Sequence, residues 1–359
     1  MVVDTQEPSS VPPPDGPRPE EAPARVRDPE PAREPTIVTA DVSVRFGDVR
    51  ALSNVTLAVP DGSILGVVGP SGAGKTTLIR LFTGALRPTE GTVRVLGEDP
   101  SRFRRATRQQ IGYVPQLFTL YPDLTAGENV DFVASLYGLL WFRRRRRVRE
   151  VLKLVDLWDA RGRRASNLSG GMQRRLELAC ALVHDPKLFF LDEPTAGIDP
   201  ILRARVWEEL HHLREAGRTL IVTTQYVNEA EECDVIALIG EGELIALATP
   251  DEMRKDAFGG ELIEIETKGP FDGRVLDSLD VVSDVRQVGP RTVRVTVDDV
   301  GAATPAVVEG VGAAGGDVEA AREVRASFDE VFAALVARHR RQRVAEGEPD
   351  AAGGHGRAA

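Results

Sequence analysis

The pattern of apolar and polar positions changes character several times along this chain of 359 residues. Up to about residue 35 it has no period. Ten of the 24 prolines fall there and no aromatic residue does, so residues 1–35 cannot bury enough surface to order themselves and read as a Pro-rich disordered tail. From Thr36 the pattern is that of strands: β-branched residues alternate or cluster over 37–44 and 55–59. Residues 63–68 form an unbroken apolar run that ends in glycine-rich sequence, as a strand buried on both faces would. The runs 188–191 and 219–223 are of the same kind, and 92–95 follows a Pro-Thr-Glu-Gly turn. A mostly helical stretch is expected over 124–157. Another helix, with Val206, Trp207, Leu210 and Leu213 on one face, is expected between the last two strands. Strands alternating with helices predict an α/β fold built on a parallel sheet.

A second pattern begins near Glu261. Residues 261–267 and 291–297 alternate, and helix-like segments lie near 302–311 and 327–336. The order strand–helix–strand–strand–helix–strand predicts a small α+β domain of ferredoxin-like arrangement over 261–340. Residues 341–359 return to Gly, Ala and charged sequence and read as a second disordered tail.

Composition narrows the functional classes. A content of 42% hydrophobic and 28% charged residues is ordinary for a globular protein. The formal net charge of -10 argues against recognition of nucleic acid by bulk positive charge, so no nucleic-acid partner is expected. Cys180 and Cys233 stand in unrelated contexts, with neither metal-ligand spacing nor a disulfide framework, and read as packed thiols. His184, His211, His212, His339 and His355 lie in no motif that would use them. The N-terminus lacks the apolar core of a signal peptide, and no run approaches the roughly 20 apolar residues of a membrane helix. A cytosolic chain is expected, acting at a membrane only through a partner.

The candidate chemistry starts where the first apolar run ends. Gly69-Pro70-Ser71-Gly72-Ala73-Gly74-Lys75-Thr76 matches the phosphate-loop pattern, with a strand before it and a helix expected from Lys75. Glycines let backbone N–H groups turn inward around phosphate oxygens, and the helix aims its positive end at the same place. In such a loop Lys75 reaches the β- and γ-phosphates, the Thr76 hydroxyl ligates Mg²⁺, and Thr77 adds a hydroxyl nearby. Asp192 ends the apolar run 188–191, at the sheet edge where ligands bind, and is a candidate Mg²⁺ ligand; its neighbour Glu193 is the candidate general base. These motifs imply a P-loop NTPase.

Further segments narrow the class. Asn167-Leu168-Ser169-Gly170-Gly171-Met172-Gln173-Arg174-Arg175 resembles the signature of the ATP-binding cassette (ABC) family. Residues 191–200 resemble its Walker B and D-loop, 111–116 its Q-loop, and Arg45-Phe46-Gly47 its aromatic A-loop. Their order along residues 36–258 is the family's order. The resemblance implies a P-loop NTPase with a RecA-like parallel core, an antiparallel β subdomain and a helical subdomain at about 117–165. It implies that Phe46 stacks on adenine and that Gln116 touches Mg²⁺ or the attacking water. It further implies that Ser169, Gly170, Gly171 and Gln173 form the signature contact to ATP held by a second cassette, and that Asp199 communicates across that dimer. A physical reason supports the signature's role, since it opens a helix and so offers a second anion site, which one chain cannot bring to its own phosphate. The family usually has His after the third strand; here Gln225 stands in that place, able to donate a hydrogen bond but not to titrate.

Softer matches, 120–130, 136–139 and 223–231, resemble the single-cassette ATPases of drug, antibiotic and polysaccharide exporters. They imply an ATP- and Mg²⁺-dependent subunit, peripheral at the inner face of the cell membrane. It would drive a separate integral-membrane permease, paired with itself or with a paralogue. A soluble mechanochemical ATPase and a low-turnover regulatory subunit remain as alternatives. The run Arg143 to Arg147 can contact anionic lipid headgroups or a permease, or be a solvated helix end.

Overall fold

A computed structural model describes residues 34–116 and 119–345. The tail expected over 1–35 lies outside the described residues up to Arg33, as does the terminal segment from residue 346. In chain order, the first half holds β1 (Ile37–Phe46), β2 (Val49–Val59), β3 (Ile64–Val68), α1 (Lys75–Phe82), β4 (Glu90–Val95), α2 (Arg105–Arg108), β5 (Ile111–Val114), α3 (Ala126–Leu136), α4 (Trp141–Leu154) and α5 (Gly170–Leu182). It continues with β6 (Leu188–Asp192), α6 (Pro200–Glu215), β7 (Thr219–Thr224), β8 (Val235–Gly240), β9 (Glu243–Ala248) and α7 (Pro250–Phe258). The last part holds β10 (Glu261–Thr267), β11 (Val282–Gly289), β12 (Thr292–Val297), α8 (Val300–Ala313), β13 (Val318–Glu323) and α9 (Phe328–Ala345).

The main sheet has the order β4-β1-β2-β9-β8-β3-β7-β6-β5. Its core is parallel: β3 pairs with β7 and β8, β7 with β6, and β6 with β5. β3, β6 and β7 are buried along their whole length, as unbroken apolar runs covered on both faces must be. β1, β2 and β4 form the antiparallel part; β2 alternates between buried and exposed positions over its second half, whereas register shifts break the alternation of β1. Two apolar clusters sandwich the sheet. One packs α1 and the antiparallel strands around Phe82 and Phe190, and the other gathers α3 to α6 around Leu176, Phe189 and Trp207. The expected helical stretch 124–157 divides into α3 and α4. Thr125 and Glu128 cap α3 reciprocally at its start, and Gly138, at φ +75°, lets the chain turn between the two helices.

β10 to β13 form a separate antiparallel sheet in the order β11-β12-β10-β13 over their own core, which includes Ile263, Ile265, Val293 and Val307. That is the strand order of a ferredoxin-like arrangement, with one correction. The first expected helix is only a 3₁₀ segment, Gly273–Ser278. Gly269, Pro270 and Gly273 interrupt the connection, and Leu276 is its buried apolar anchor. The segment 327–336 does form a helix, α9, but it leaves the small sheet. Its Phe328, Val331 and Leu335 pack in the same cluster as Met253 and Ala230. α9 also runs on to Ala345, into the segment read as a tail from 341. Pairs of His339 with Glu243, and of Arg340 and Arg343 with Glu241, tie its last turns to the β8–β9 turn. Among the described residues no helix is long and apolar enough to cross a membrane.

Candidate functional site

Four adjacent parallel strands, β3-β7-β6-β5, bring the sequence-predicted groups to one edge. Their register aligns Val68 with Thr224, Thr223 with Asp192, and Leu191 with Val114. The residues just beyond these strand ends are therefore neighbours: the loop Gly69–Gly74, then Gln225, then Asp192 and Glu193, then Gln116. Segments far apart in the chain meet because a parallel sheet places all its C-terminal ends on one side.

Lys75 is buried and points back into the loop, donating to the carbonyls of Gly69 at 2.7 Å and Pro70 at 3.0 Å. Burial pushes its ammonium below the usual lysine value, against the opposing pull of Glu193 and Asp192. Glu193 lies 3.7 Å from the Lys75 Nζ, and its other oxygen accepts from the Gln116 amide at 2.8 Å. Glu193 also has φ +49°, a left-handed backbone rare for a non-glycine residue and a form of strain found at functional sites. The Thr223 hydroxyl, which donates to Asp192 at 2.6 Å and accepts from the Glu193 N–H at 2.9 Å, locks the strained turn. The Thr76 hydroxyl faces the same Asp192 oxygen at 3.4 Å.

These residues fit a phosphate and a hard cation. Gly74 caps α1 at φ +107°, and a Cβ there would strike the Ala51 carbonyl at 2.8 Å, so only glycine makes the turn. α1 has no side-chain cap, which leaves its first N–H groups, at Lys75, Thr76 and Thr77, for an anion. The Thr76 hydroxyl, the Asp192 carboxylate and the amide oxygen of Gln116 are oxygen donors of the kind Mg²⁺ takes together with phosphate.

One residue near the site, quoted only as part of the signature segment, was given no role of its own by the sequence. Arg174, in α5, is buried and spends its guanidinium on the carbonyls of Pro115, Asp192, Glu193 and Pro194 and on the Glu177 carboxylate at 2.8 Å. Glu177 also accepts from the Thr119 N–H at 2.8 Å. The pair holds the chain after β5 and the chain after β6 against the signature helix. The signal available in the sequence was an Arg–Glu pair at i, i+3 on the face of α5 that also carries Leu178 and Ala181.

The remaining predicted residues, Gln225 excepted, lie on other segments. Ser169 caps α5, accepting from the Met172 N–H at 3.3 Å, and both it and Gly170 are exposed. Gly171 packs on α6, where a Cβ would strike the Leu202 side chain, and Gln173 donates to the Ala165 carbonyl at 2.9 Å. Asp199 caps α6 through the Leu202 N–H. Phe46 ends β1 half exposed. Among the described residues, none of these shares a hydrogen bond with the phosphate loop. Gln225 is exposed just beyond β7.

The cysteines and described histidines play no part in the cluster. Burial pushes the Cys180 thiol up to about 12, and that of Cys233 up as well, so neither is a nucleophile. His184 stacks on Tyr137 with ring centroids 3.6 Å apart, and His211 pairs with Glu232.

Comparison with known proteins converges on one family. The family profile described as "ABC transporter" matches residues 52–196. The daunorubicin resistance ATP-binding protein DrrA3 of Streptomyces coeruleorubidus is 36% identical over 309 residues, 85% of this chain and 98% of that protein. The probable multidrug ABC transporter ATP-binding protein YbhF of Escherichia coli (strain K12) is 38% identical over 64% of this chain, and the match spans only 39% of that longer protein. Among solved structures, the ATP-binding cassette MJ0796, a dimer in a post-hydrolysis state bound to ADP and Pi, superposes with a TM-score of 0.54 at 29% identity, covering 59% of this chain and 98% of that one. The strand order, the phosphate loop with its acidic partners and the near-full-length match to DrrA3 agree: this chain belongs to the ABC transporter family, as one of its ATP-binding proteins.

Proposed function

We propose that this chain is the ATP-hydrolysing subunit of an ABC exporter, that two cassettes close over ATP, and that it drives a separate integral-membrane permease. The observation that best supports this is the meeting of Lys75, Asp192, Glu193 and Gln116 at one sheet edge. In this reading the loop amides of residues 69–74 and the start of α1 hold the β- and γ-phosphates, with Thr77 beside them, and Phe46 stacks on the base. Lys75 exchanges its two loop carbonyls for phosphate oxygens. Thr76, Asp192 and the Gln116 oxygen would hold Mg²⁺, which neutralises charge on the phosphates. Glu193 accepts the proton of the attacking water, and Gln116 holds that carboxylate in place through the hydrogen bond it already makes. Gln225 donates its amide to the γ-phosphate.

Ser169 and the N–H groups of Gly170 and Gly171 would cap the γ-phosphate held by the other cassette, with Gln173 fixing the loop before them. The exposure of Ser169 and Gly170, with no hydrogen bond among the described residues from the signature to its own phosphate loop, supports a role between two chains. Asp199, at the start of α6, would report across that interface. A cleft of about 230 Å³ lined by Leu120, Tyr121, Val133, Tyr137, Glu177 and His184 adjoins the Gln116 segment and is the proposed seat for a permease element.

Affinity purification of the tagged chain from detergent-solubilised membranes tests the reading. Recovery of a polytopic membrane protein is expected. Recovery of soluble partners alone, with the chain absent from membranes, would overturn it in favour of a soluble ATPase. A second reading, a low-turnover regulatory subunit, rests on Gln225, which brings no charge where a histidine would. Turnover that stays negligible with the permease present would establish it.

A further inference from the structure

The connection between α3 and α4 breaks several local rules at once. α4 starts on Leu140, which offers no side-chain cap, and its first turn has no acidic residue. Five arginines, Arg143 to Arg147, follow in the half of the helix where its dipole disfavours cations. α3 and α7, by contrast, both begin with a capping box. Apolar side chains crowd the same tip and face water: Leu140 and Phe142 are each 81% exposed, Leu136 67% and Trp141 48%. Side chains this exposed protrude, and of the four only Leu140 also borders a pocket. Two of the arginines are used internally, Arg144 by Asp131 at 2.8 Å and Arg147 by the Leu182 and Val183 carbonyls. Arg146 has only its exposed helical neighbour Glu150, and among the described residues Arg143 and Arg145 have no carboxylate within ion-pair reach. The Arg145 guanidinium instead lies 4.3 Å from the centre of the Trp141 ring, against which Phe142 packs edge-on.

We infer that this tip is a binding site for an anionic lipid surface, with Leu140, Trp141 and Phe142 entering the headgroup–acyl boundary and Arg143, Arg145 and Arg146 meeting lipid phosphates. Protruding Trp, Phe and Leu beside arginines are the combination that partitions into a bilayer interface, where a fluid phase closes around side chains of any shape. Charge gives the choice of surface. The chain as a whole carries -10 and would be repelled by an anionic leaflet, so a local cationic cluster both permits the approach and orients it. The orientation agrees with, and rests on, the permease-docking reading: Tyr137 and His184 line both the proposed permease cleft and the pocket beside Arg143 and Leu140. A permease seated there would have this tip at its membrane-facing margin.

The test uses the full-length chain without permease, floated with phosphatidylcholine vesicles that contain or lack phosphatidylglycerol. Flotation is expected with the anionic vesicles, weakening with salt, and little with the neutral ones. Trp141→Ala with Phe142→Ala should lower partitioning about thirtyfold. The single change Phe142→Asp, at a position that packs little inside the fold, should act in the same direction. Arg143→Glu with Arg145→Glu and Arg146→Glu should remove the preference for anionic lipid. The thermal midpoint and ATP turnover in solution should be unchanged in all of them. Absence of flotation by the wild-type chain, or equal flotation by wild type and variants, overturns the inference. Loss of permease from the affinity-purified complex in these variants, without any vesicle binding by the wild type, also overturns it and assigns the tip to the permease. Retention of permease with no lipid binding refutes the lipid site alone and leaves the proposed function standing.

Discussion

Two clusters of arginine and glutamate hold this molecule in different ways. Under the nucleotide site, Arg174 and Glu177 are buried, and every polar atom they offer is met by a carbonyl, an N–H or each other. On the small sheet, Glu264 of the inner strand β10 faces Arg294 on one neighbour at 3.1 Å and Arg322 on the other at 2.8 Å, and Arg294 reaches on to Glu330 of α9. That cluster is open to solvent on one side: Arg322 and Glu330 are exposed, whereas Glu264 and Arg294 are mostly covered. Buried charges stripped of water are costly to leave unpaired, whereas charges at the surface are replaced by solvent when a partner is lost. The first cluster can therefore fix the backbone of Asp192 and Glu193, and the second can only bias how the small sheet meets α9.

The sharpest break in this contrast is Arg174→Ala. It leaves Glu177 buried and unpaired, and calorimetry should record a loss of about 3–5 kcal/mol; turnover should fall as well, because the carbonyls around Glu193 lose their anchor. Arg174→Met with Glu177→Leu should recover most of the stability but not the turnover, which would separate the cost of stranding a charge from the positioning of the site. Glu193→Gln keeps the shape and the hydrogen bond from Gln116, so the thermal midpoint should hold while steady-state hydrolysis drops about a thousandfold. Gln225→Ala should reduce turnover by only about tenfold, the order expected for one hydrogen bond to a charged group. Gln225→His should add a pH dependence centred near pH 6.5, which the wild-type residue does not have. Equal, complete loss in Glu193→Gln and Gln225→Ala would mean that the base is misassigned.

The smallest effect belongs to the cluster that is open on one side. Glu264→Gln should cost under about 1 kcal/mol in denaturant unfolding. Hydrogen bonds from Arg322, then Arg294, hold the Glu264 carboxyl below its ordinary 4.5. With the folded value depressed, its contribution is complete above pH 4.5 and is lost as the pH falls through the lower folded value. The wild-type and Glu264→Gln stability curves should therefore converge in acid. A gap that persisted there would place the stabilisation elsewhere.

The strands that carry the site were legible because burial on both faces leaves unbroken apolar runs, and β3, β6 and β7 lie within a residue of the runs that predict them. Weaker elements were missed where that signal fails. β5 has four residues and β9 is only half-buried, whereas β8, an apolar run like that of β3, carried the signal and was overlooked. α9 was recognised as a helix but assigned to the wrong neighbour. Its apolar stripe says that it must pack, without saying on what; the cassette cluster and the tethers to Glu241 and Glu243 decide that.

By itself the sequence determined the class of chemistry, because a phosphate loop needs its glycines, lysine and threonine in one short stretch, and the signature segment is equally local. It also determined where a cation ligand and a base could stand, at the end of one buried strand. The tertiary structure alone decided that these groups share a site. Register across β3, β7, β6 and β5 brings residues 69, 225, 193 and 116 to one edge, and pairing between strands distant in the chain is not written in any local pattern. It also decided which arginines are structural and which are exposed. Arg174 and Arg145 are the same residue, each beside further arginines in a helix, and packing encloses one among carbonyls and leaves the other beside an exposed tryptophan.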